Sequence, residues 1–463
     1  MQDPQDRRAT ARPWLLPAAV AGVLALRNLT DWIAAATSGL PIAYGEGAVL
    51  HAGQILAQGG DPYALHQVGF VSANYPPLAY AVVAFGMPLG PFVALRLANI
   101  VAVIAIAALI AGRARAMGVV AVTLAGSFLA LYPVGIWTAQ HRVDLLSVAL
   151  CAGAIVSIDA ARLRRWGPPL FGILGALALL AKPTAALPLA AVLAYLLWRD
   201  RRAPARPLAA LAALAAASLA GATIVLLRSD PRGIVEHVVA NNAFPYDWRN
   251  PVFLLAIAAL LMGAFVVPAF ARANGVMRAY LIGALGVVIL GGHEGATVNY
   301  LLDLAAAAML ALAPLARART RWVPALVAGQ LLATLALTST GLFGTPGPAL
   351  GAERVALVSA LPADGRYYVE DSGPLLTAGR EPYVDDVYVW ARLVALGRRA
   401  DDVTPLVKAR AFTAIVSNVP LDRLGSASEI ERQRWPESLV DAILRSYTLD
   451  AATVGGYRYL PRR

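Results

Sequence analysis

Charged side chains that could handle a phosphate or a hydroxyl group stand in short polar stretches between long apolar runs. Glu46 lies in "YGEGAVLHAGQ", Asp144 follows "QHRV", and Lys182 lies in "LAKPT". A carboxylate can take a proton from a hydroxyl group, and a cation can stabilise the charge of a departing phosphate. These residue types would therefore suit a group transfer from a phosphate to a hydroxyl.

Each of these residues also has an ordinary structural explanation. Glu46 could favour the positive end of a helix dipole, and Asp144 could pair with Arg142 at the start of a helix. Lys182 could form a structural pair with an acidic residue instead of binding a phosphate. The residues alone leave both interpretations open.

Two later stretches add hydrogen-bonding groups. In "GGHEGATVNYLLD", Asn299 lies four residues before Asp303 on one helical face, with His293 and Tyr300 close by. Asn299 could instead cap a helix. In "HVVANNAFPYDW", Asn241 and Asn242 could bind hydroxyl groups or simply form loop turns.

The apolar runs between these stretches predict a polytopic membrane protein. Of the 463 residues, 59% are hydrophobic and 14% are charged, whereas soluble domains contain about 25% charged residues. The composition becomes ordinary from about Ala349 to Arg463, where short β-type runs and helical runs alternate. We therefore expect an all-α transmembrane domain over residues 1–345, followed by a small soluble α/β domain over residues 346–463.

Short basic clusters between the apolar runs set the expected topology, because such clusters favour the cytoplasmic side. This topology also accounts for the net charge of +11 without a nucleic-acid partner. It places the N-terminus inside, and it places the C-terminal domain and all the polar stretches above outside. About eleven crossings are predicted, over residues 14–37, 92–111, 117–136, 145–160, 169–181, 184–198, 207–227, 251–270, 279–291, 298–316 and 321–340.

Three segments are predicted to depart from simple crossings. The apolar centre of "YPPLAYAVVAFGMPLGP" is too short for a span, so we expect a re-entrant or tilted segment. Residues 169–198 have basic clusters at both ends and should turn at Pro183, which cannot donate a backbone hydrogen bond. The segment after Glu46 has one apolar face and places His51, Gln54 and Gln58 opposite, which is typical of an interfacial helix.

Several functional classes lack their signatures. The chain has one cysteine and five histidines, which argues against disulfides and against histidine-rich or cysteine-rich metal sites. Nucleotide-binding, zinc-protease and esterase motifs are absent from the sequence. In the C-terminal domain, "YVDDVYVW" could bind a sugar, but burial of one face explains it as well, so we expect no catalysis there.

The order of these stretches resembles that of the GT-C membrane glycosyltransferases. An acidic residue after the first span is followed by "GGDPY", "YPPLAY", "HRVDLL", "LAKPT" and "GATVNYLLD". The resemblance covers residues 14 to about 340 and is closest to the bacterial branch that uses polyprenyl-phosphate sugars. Many members have Asp where this chain has the single Glu46.

The resemblance implies a role for each residue. Glu46 would be the general base and Asp144 would help to orient the acceptor or a divalent cation, Mg²⁺ or Mn²⁺, if one is present at Glu46 and Asp144. Arg142 and Lys182 would hold the donor phosphate. The remaining candidates for substrate binding are His141, Asn241, Asn242, His293, Asn299 and Tyr300.

The expected function is therefore that of an inverting glycosyltransferase in the cell membrane. It would transfer a sugar from a polyprenyl-phosphate donor to a hydroxyl of an envelope glycan, glycolipid or protein at the outer face. A transporter or flippase for a lipid-linked or polar substrate is the main alternative, although the halves show no convincing internal repeat. A non-catalytic scaffold is a third, and it would not need the polar cluster.

Overall fold

The computed structural model describes residues 12–65, 69–114, 118–273, 275–314, 322–339 and 347–463. Its N-terminal part is helical. The helices are α1 Leu15–Ser38, α2 Glu46–Ala57, α3 Pro77–Gly86, α4 Val93–Ala114, α5 Gly118–Ala130, α6 Tyr132–Ala139, α7 Asp144–Asp159, α8 Gly167–Ala181, α9 Ala186–Arg199, α10 Ala205–Leu226, α11 Pro231–Ile234, α12 Arg249–Arg272, α13 Gly275–Leu290, α14 Leu302–Leu312 and α15 Trp322–Ser339.

Each of the eleven predicted crossings contains a helix of this part. Within the described residues, four helices are long and apolar enough to cross a membrane: Arg12–Ser38, Val93–Ala114, Ala205–Leu226 and Arg249–Arg272. The pair α5 and α6 is bent by 62° and would make a fifth span if it crosses as one unit. The other apolar helices are shorter, so the number of eleven crossings stays a prediction.

The apolar stretch 169–198 breaks where the sequence predicts. Helix α8 ends at Ala181, a 3₁₀ turn covers Pro183–Ala185, and α9 begins at Ala186. The break leaves Lys182 in an extended conformation between the two helices. The short segment at "YPPLAY" forms α3, which has 10 residues and starts with Pro77 at its first position, where proline is best tolerated.

Helix α2 differs from the interfacial helix that the sequence predicts. Every residue from Glu46 to Gly53 is buried, and the expected polar face carries a buried His51. Part of that face contacts protein rather than water, because His51 Nδ1 lies 3.1 Å from an oxygen of Asp385 in the C-terminal domain. An amphipathic pattern cannot distinguish these two surroundings, since both offer polar partners.

The C-terminal part is the predicted α/β domain. Its elements are α16 Pro348–Ser359, β1 Tyr367–Val369, α17 Ser372–Thr377, α18 Val387–Ala395, α19 Val403–Lys408, β2 Ala414–Ser417, α20 Glu429–Arg434, α21 Glu437–Ser446, β3 Tyr447–Thr453 and β4 Gly456–Pro461. The strands form one sheet in the order β1-β2-β4-β3, with β1 and β2 parallel and the other pairs antiparallel. The predicted domain boundary at residues 345 and 346 lies outside the described residues.

The two parts are packed together closely. Helix α17 lies on α2, and a Cβ atom on Gly47 would come within 2.3 Å of the backbone nitrogen of Gly373. Phe70, in the loop before α3, forms a parallel β-bridge with Val384. The loops of the helical part are thus built into the soluble domain, and the polar stretches meet at this junction.

Candidate active site

Glu46 forms a fully buried ion pair with Arg96 near the junction of the helical part and the soluble domain. Its Oε1 is 2.9 Å from Nη2 of Arg96, and neither side chain is exposed to solvent. Oε2 accepts hydrogen bonds from the backbone nitrogens of Ile42 and Ala43, and Oε1 accepts one from that of His141. The carboxylate therefore ties the first loop to helix α4 and to the segment before α7.

This position does not fit the expected role of Glu46 as the general base. The side chain does not line the cavity described below, and both oxygens already accept several hydrogen bonds. A general base needs an oxygen within reach of the substrate hydroxyl. The catalytic role of Glu46 stays a prediction that its surroundings do not support.

His141 is placed in the same buried layer. It is fully buried, its Nδ1 lies 3.0 Å from the carbonyl oxygen of Phe92, and its ring packs edge-on against the Phe92 ring. It does not line the cavity. These contacts fit a residue that positions its neighbour Arg142 rather than one that binds substrate.

Four of the predicted residues come together at one point, although they are distant in the sequence. Lys182 Nζ lies 2.5 Å from Oδ1 of Asp144, and the same oxygen accepts a hydrogen bond of 2.8 Å from Asn299. The ammonium group of Lys182 also lies 4.7 Å from the ring centroid of Tyr300, within the range of a cation–π contact. Lys182 is thus the partner of Asp144, in the place where the sequence suggested Arg142.

Arg142 lacks a carboxylate partner among the described residues. Its Nη2 donates a hydrogen bond to the carbonyl oxygen of Tyr44, and its Nε is buried without a partner. Gly45 makes room for the guanidinium group: it has a φ of +79°, and a Cβ atom there would lie 3.1 Å from Nη1. A partly buried arginine with unused donors is a ready site for an anion.

These groups border a cavity of about 500 Å³ between the helical part and the soluble domain. Arg142, Asp144 and Lys182 lie on its helical side. Its further polar lining includes Asn74, Tyr75, Asn242, His293, Glu294, Asn299, Tyr300, Asp386, Tyr388 and Arg434. Cationic, carboxylate and aromatic side chains therefore line one cavity.

The soluble domain, in which the sequence predicts no catalysis, supplies part of this lining. The hydroxyl group of Tyr44 accepts a hydrogen bond from the backbone nitrogen of Tyr388 and donates one to Oδ1 of Asp386, both of 2.8 Å. The guanidinium carbon of Arg434 lies 3.7 Å from the ring centroid of Tyr44. The first loop is thus held inside the soluble domain.

The remaining candidates divide between the cavity and its surroundings. His293 lines the cavity, and its Nδ1 lies 2.9 Å from the carbonyl oxygen of Phe244. Asn242 also lines it, but its amide group donates to three backbone carbonyls, which is the turn-forming role. Asn241 is buried beside a separate small cavity that His237 and Arg399 also line.

Comparison with solved structures identifies the architecture. Crystal structures of ArnT from Cupriavidus metallidurans, bound to undecaprenyl phosphate and in the apo state, each superpose with a TM-score of 0.64. They cover 94% of this chain and 97% of ArnT, at 15% and 14% sequence identity. The chain has the GT-C fold. No protein-family model matches the sequence, and no curated protein does.

Glu46 and Asp144, the carboxylates that would hold a divalent cation if one is present, do not fit one. Asp144 is neutralised by Lys182 and Glu46 by Arg96, so their oxygens already face cations. Among the described residues of this GT-C chain, no group of three or more His, Cys, Asp or Glu side chains could hold a metal. We therefore derive no step through a divalent cation.

Sequence reasoning missed several residues of the candidate site. Arg96 lies inside an apolar helix, and a charge at such a position is itself a signal of a specific partner. Tyr44 is the first residue of the stretch "YGEGAVLHAGQ", but its residue type alone does not indicate a function. Asp386 lies in "YVDDVYVW", which the sequence leaves open between binding a sugar and burial of one face, and Arg434 lies in the domain where no catalysis is expected.

Proposed function

We propose that the protein is a membrane glycosyltransferase that transfers a sugar from a polyprenyl-phosphate donor to a hydroxyl group of an envelope glycan, glycolipid or protein. The observation that carries the proposal is Arg142, a cation without a carboxylate partner among the described residues, on a cavity that both domains enclose. The fold supports it, because ArnT of the same fold is seen with undecaprenyl phosphate bound.

The chemistry assigned to the cavity follows from the groups that face it. Arg142 and Lys182 would receive the negative charge that builds up on the phosphate as its bond to the sugar breaks. Asn299, Tyr300 and His293 would contact the sugar or the lipid phosphate. Asp144 would keep Lys182 in place rather than act on the acceptor directly, because both of its oxygens are occupied.

A single displacement at the anomeric carbon would invert its configuration. The acceptor oxygen would attack from the side opposite the phosphate, so that no covalent sugar–enzyme intermediate is needed. The energy of the lipid-linked phosphate would drive the reaction, which agrees with the absence of a nucleotide-binding motif from the sequence. We place this reaction at the outer face, on the basis of the basic clusters.

The polar groups gather at one end of the helical part, which favours an enzyme over a transporter. A carrier needs binding groups near the bilayer midplane and a path to both sides. Here the cations and amides of the cavity are held by the loops and by the soluble domain. The soluble domain thus lies over the side of the cavity that faces away from the helices.

The deciding experiment measures transfer and transport with the same labelled compound. Purified protein is incubated with a radiolabelled undecaprenyl-phosphate sugar and a membrane-lipid acceptor extract, and labelled glycolipid or glycan is quantified. In parallel, proteoliposomes are tested for movement of the label across the bilayer. Transfer without movement supports the proposal, whereas movement without transfer identifies a flippase.

A further inference from the structure

Three carboxylates line the cavity within the described residues, and they differ in how many of their oxygens are free. Asp144 is held at Oδ1 by Lys182 and Asn299 and at Oδ2 by the indole nitrogen of Trp137. Both oxygens of Glu294 accept from Arg392, at 3.0 and 2.8 Å. Neither group leaves an oxygen for a substrate hydroxyl.

Asp386 is the exception among these three. Its Oδ1 accepts from the hydroxyl of Tyr44 at 2.8 Å and from the backbone nitrogen of Val389 at 3.1 Å, which caps helix α18. Within the described part of the chain, its Oδ2 has no hydrogen-bond partner, although the residue is only 9% exposed and lines the cavity. One oxygen fixes the side chain and the other is left for a ligand.

The surroundings of Asp386 keep the carboxylate in place. Burial, followed by the charge of Asp386, raises the pKa of Tyr44 well above its ordinary value, so the phenol keeps its proton and donates it. Arg434, stacked on the Tyr44 ring, adds a positive charge next to the carboxylate. A fixed carboxylate with one open oxygen is what a general base requires.

A second group that lines the cavity lacks a hydrogen-bond partner. Within the described residues, the hydroxyl of Tyr388 is buried without a partner, and this residue is 7% exposed. Buried polar atoms are rarely left without a hydrogen bond, so a ligand or water is expected to supply one. Tyr388 is two positions beyond Asp386, and both line the cavity.

We propose that Asp386 of the soluble domain is the general base that activates the acceptor hydroxyl, with Tyr388 as a hydrogen-bonding partner of the acceptor. This inference rests on the proposed function. The acceptor oxygen forms a bond to the anomeric carbon while the bond from that carbon to the phosphate oxygen breaks. The electron pair of the broken bond goes to the polyprenyl phosphate, and the hydroxyl proton goes to Oδ2 of Asp386, which then returns it to water.

The test uses the full-length protein with Asp386→Asn, because asparagine keeps an oxygen for Tyr44 and for Val389. The matched control is Asp441→Asn, an exposed carboxylate on α21 of the same domain. We measure turnover with the radiolabelled undecaprenyl-phosphate sugar, affinity for undecaprenyl phosphate alone, and the pH profile of turnover. Asp386→Glu, which restores a carboxylate, is the second variant.

The expected result is a loss of turnover of about 100-fold or more for Asp386→Asn, with unchanged affinity for undecaprenyl phosphate. Its pH profile should lose the acidic limb, and Asp386→Glu should recover part of the turnover. Wild-type turnover in Asp386→Asn would overturn this inference and leave the proposed function standing. A turnover loss matched by a loss of undecaprenyl phosphate binding would do the same. A wild-type protein that binds undecaprenyl phosphate but transfers no sugar would overturn the proposed function as well.

Discussion

The carboxylate of Glu46 and the guanidinium group of Arg96 form an ion pair in which both side chains are fully buried, with 2.9 Å between Oε1 and Nη2. Removing the charge from one partner of a buried pair leaves the other without compensation. We predict that Glu46→Gln lowers the free energy of unfolding by about 3 kcal/mol. The measurement is thermal unfolding of the detergent-solubilised protein.

A second variant separates this structural role from a catalytic one. In Glu46→Gln combined with Arg96→Gln, no buried charge is left unpaired, and we expect stability and sugar transfer to recover together. If Glu46→Gln instead has the stability of the wild type and the same affinity for undecaprenyl phosphate but transfers no sugar, then Glu46 is the base.

Arg142 should determine how tightly the lipid phosphate binds. A hydrogen bond to a charged group contributes about 1.5 to 3 kcal/mol, so Arg142→Ala should weaken undecaprenyl phosphate binding roughly 10- to 100-fold. The control is Arg423→Ala, because the side chain of Arg423 is 79% exposed and distant from the cavity. Binding isotherms at several salt concentrations give the result, and equal affinities for both variants would contradict the assignment.

Neutralising Lys182 and neutralising its partner Asp144 should change the affinity for undecaprenyl phosphate in opposite directions. Lys182→Met removes a positive charge from the cavity and should weaken binding of undecaprenyl phosphate roughly tenfold. Asp144→Asn removes the charge that neutralises Lys182 and keeps acceptors and donors in place, so it should strengthen that binding. The same affinity assay decides, and weaker binding in both variants would show that the pair serves only to hold the helices together.

Asp371 makes the stability of the soluble domain depend on pH. Burial, partly offset by Arg354, raises its pKa to about 6 from an ordinary value of 3.8. The folded state therefore binds more protons than the unfolded state between these values, and stability falls as the pH rises from 4 to 7, by about 3 kcal/mol for this group.

Asp371→Asn tests this dependence, since asparagine can still accept the hydrogen bond from the backbone nitrogen of Gly373. The variant should gain stability relative to the wild type as the pH rises from about 4 to about 6, and the difference should stay constant above that. Melting temperatures from pH 4 to 7 measure the difference, with the exposed Asp441→Asn as control. A constant difference at all pH values would show that Asp371 does not titrate in this range.

The orientation in the membrane can be checked by labelling. The one natural cysteine, Cys151, is buried, so an introduced cysteine can be labelled selectively. We predict that Asp441→Cys on α21 reacts with a membrane-impermeant maleimide in intact spheroplasts, and that Arg201→Cys between α9 and α10 reacts only after lysis. The reverse pattern would place the cavity on the cytoplasmic side.

The sequence was sufficient for features that depend on local chemistry. Pro183 marked the break between α8 and α9, and the apolar runs marked the helices, because backbone hydrogen bonding and hydropathy act over short distances. The cluster of Asp144, Lys182 and Asn299 could be anticipated as one group because the topology placed all three on one side. Which cation pairs with which carboxylate could not be predicted, since that depends on the packing of separate helices.

The part that escaped prediction depends on contacts between the two domains. His51 on α2 and Tyr44 before it look like surface residues when the soluble domain is ignored. Asp386 stands in a segment whose pattern fits a buried helix face, and that interpretation is correct for Val387 and Trp390. Asp386, Tyr388 and Val389 of the segment also line the cavity, and no local pattern distinguishes them.

Tyr44 and Asp386 are 342 positions apart, whereas Glu46 and Arg96 are separated by only 50. A ribosome that adds about 5 to 20 residues per second needs roughly 20 to 70 seconds to travel from the first of the distant pair to the second. The ion pair of Glu46 and Arg96 can thus form while the chain is still being inserted, and it then holds the first loop against helix α4. The cavity is completed only when synthesis is almost finished, because the soluble domain that supplies part of its lining is made last.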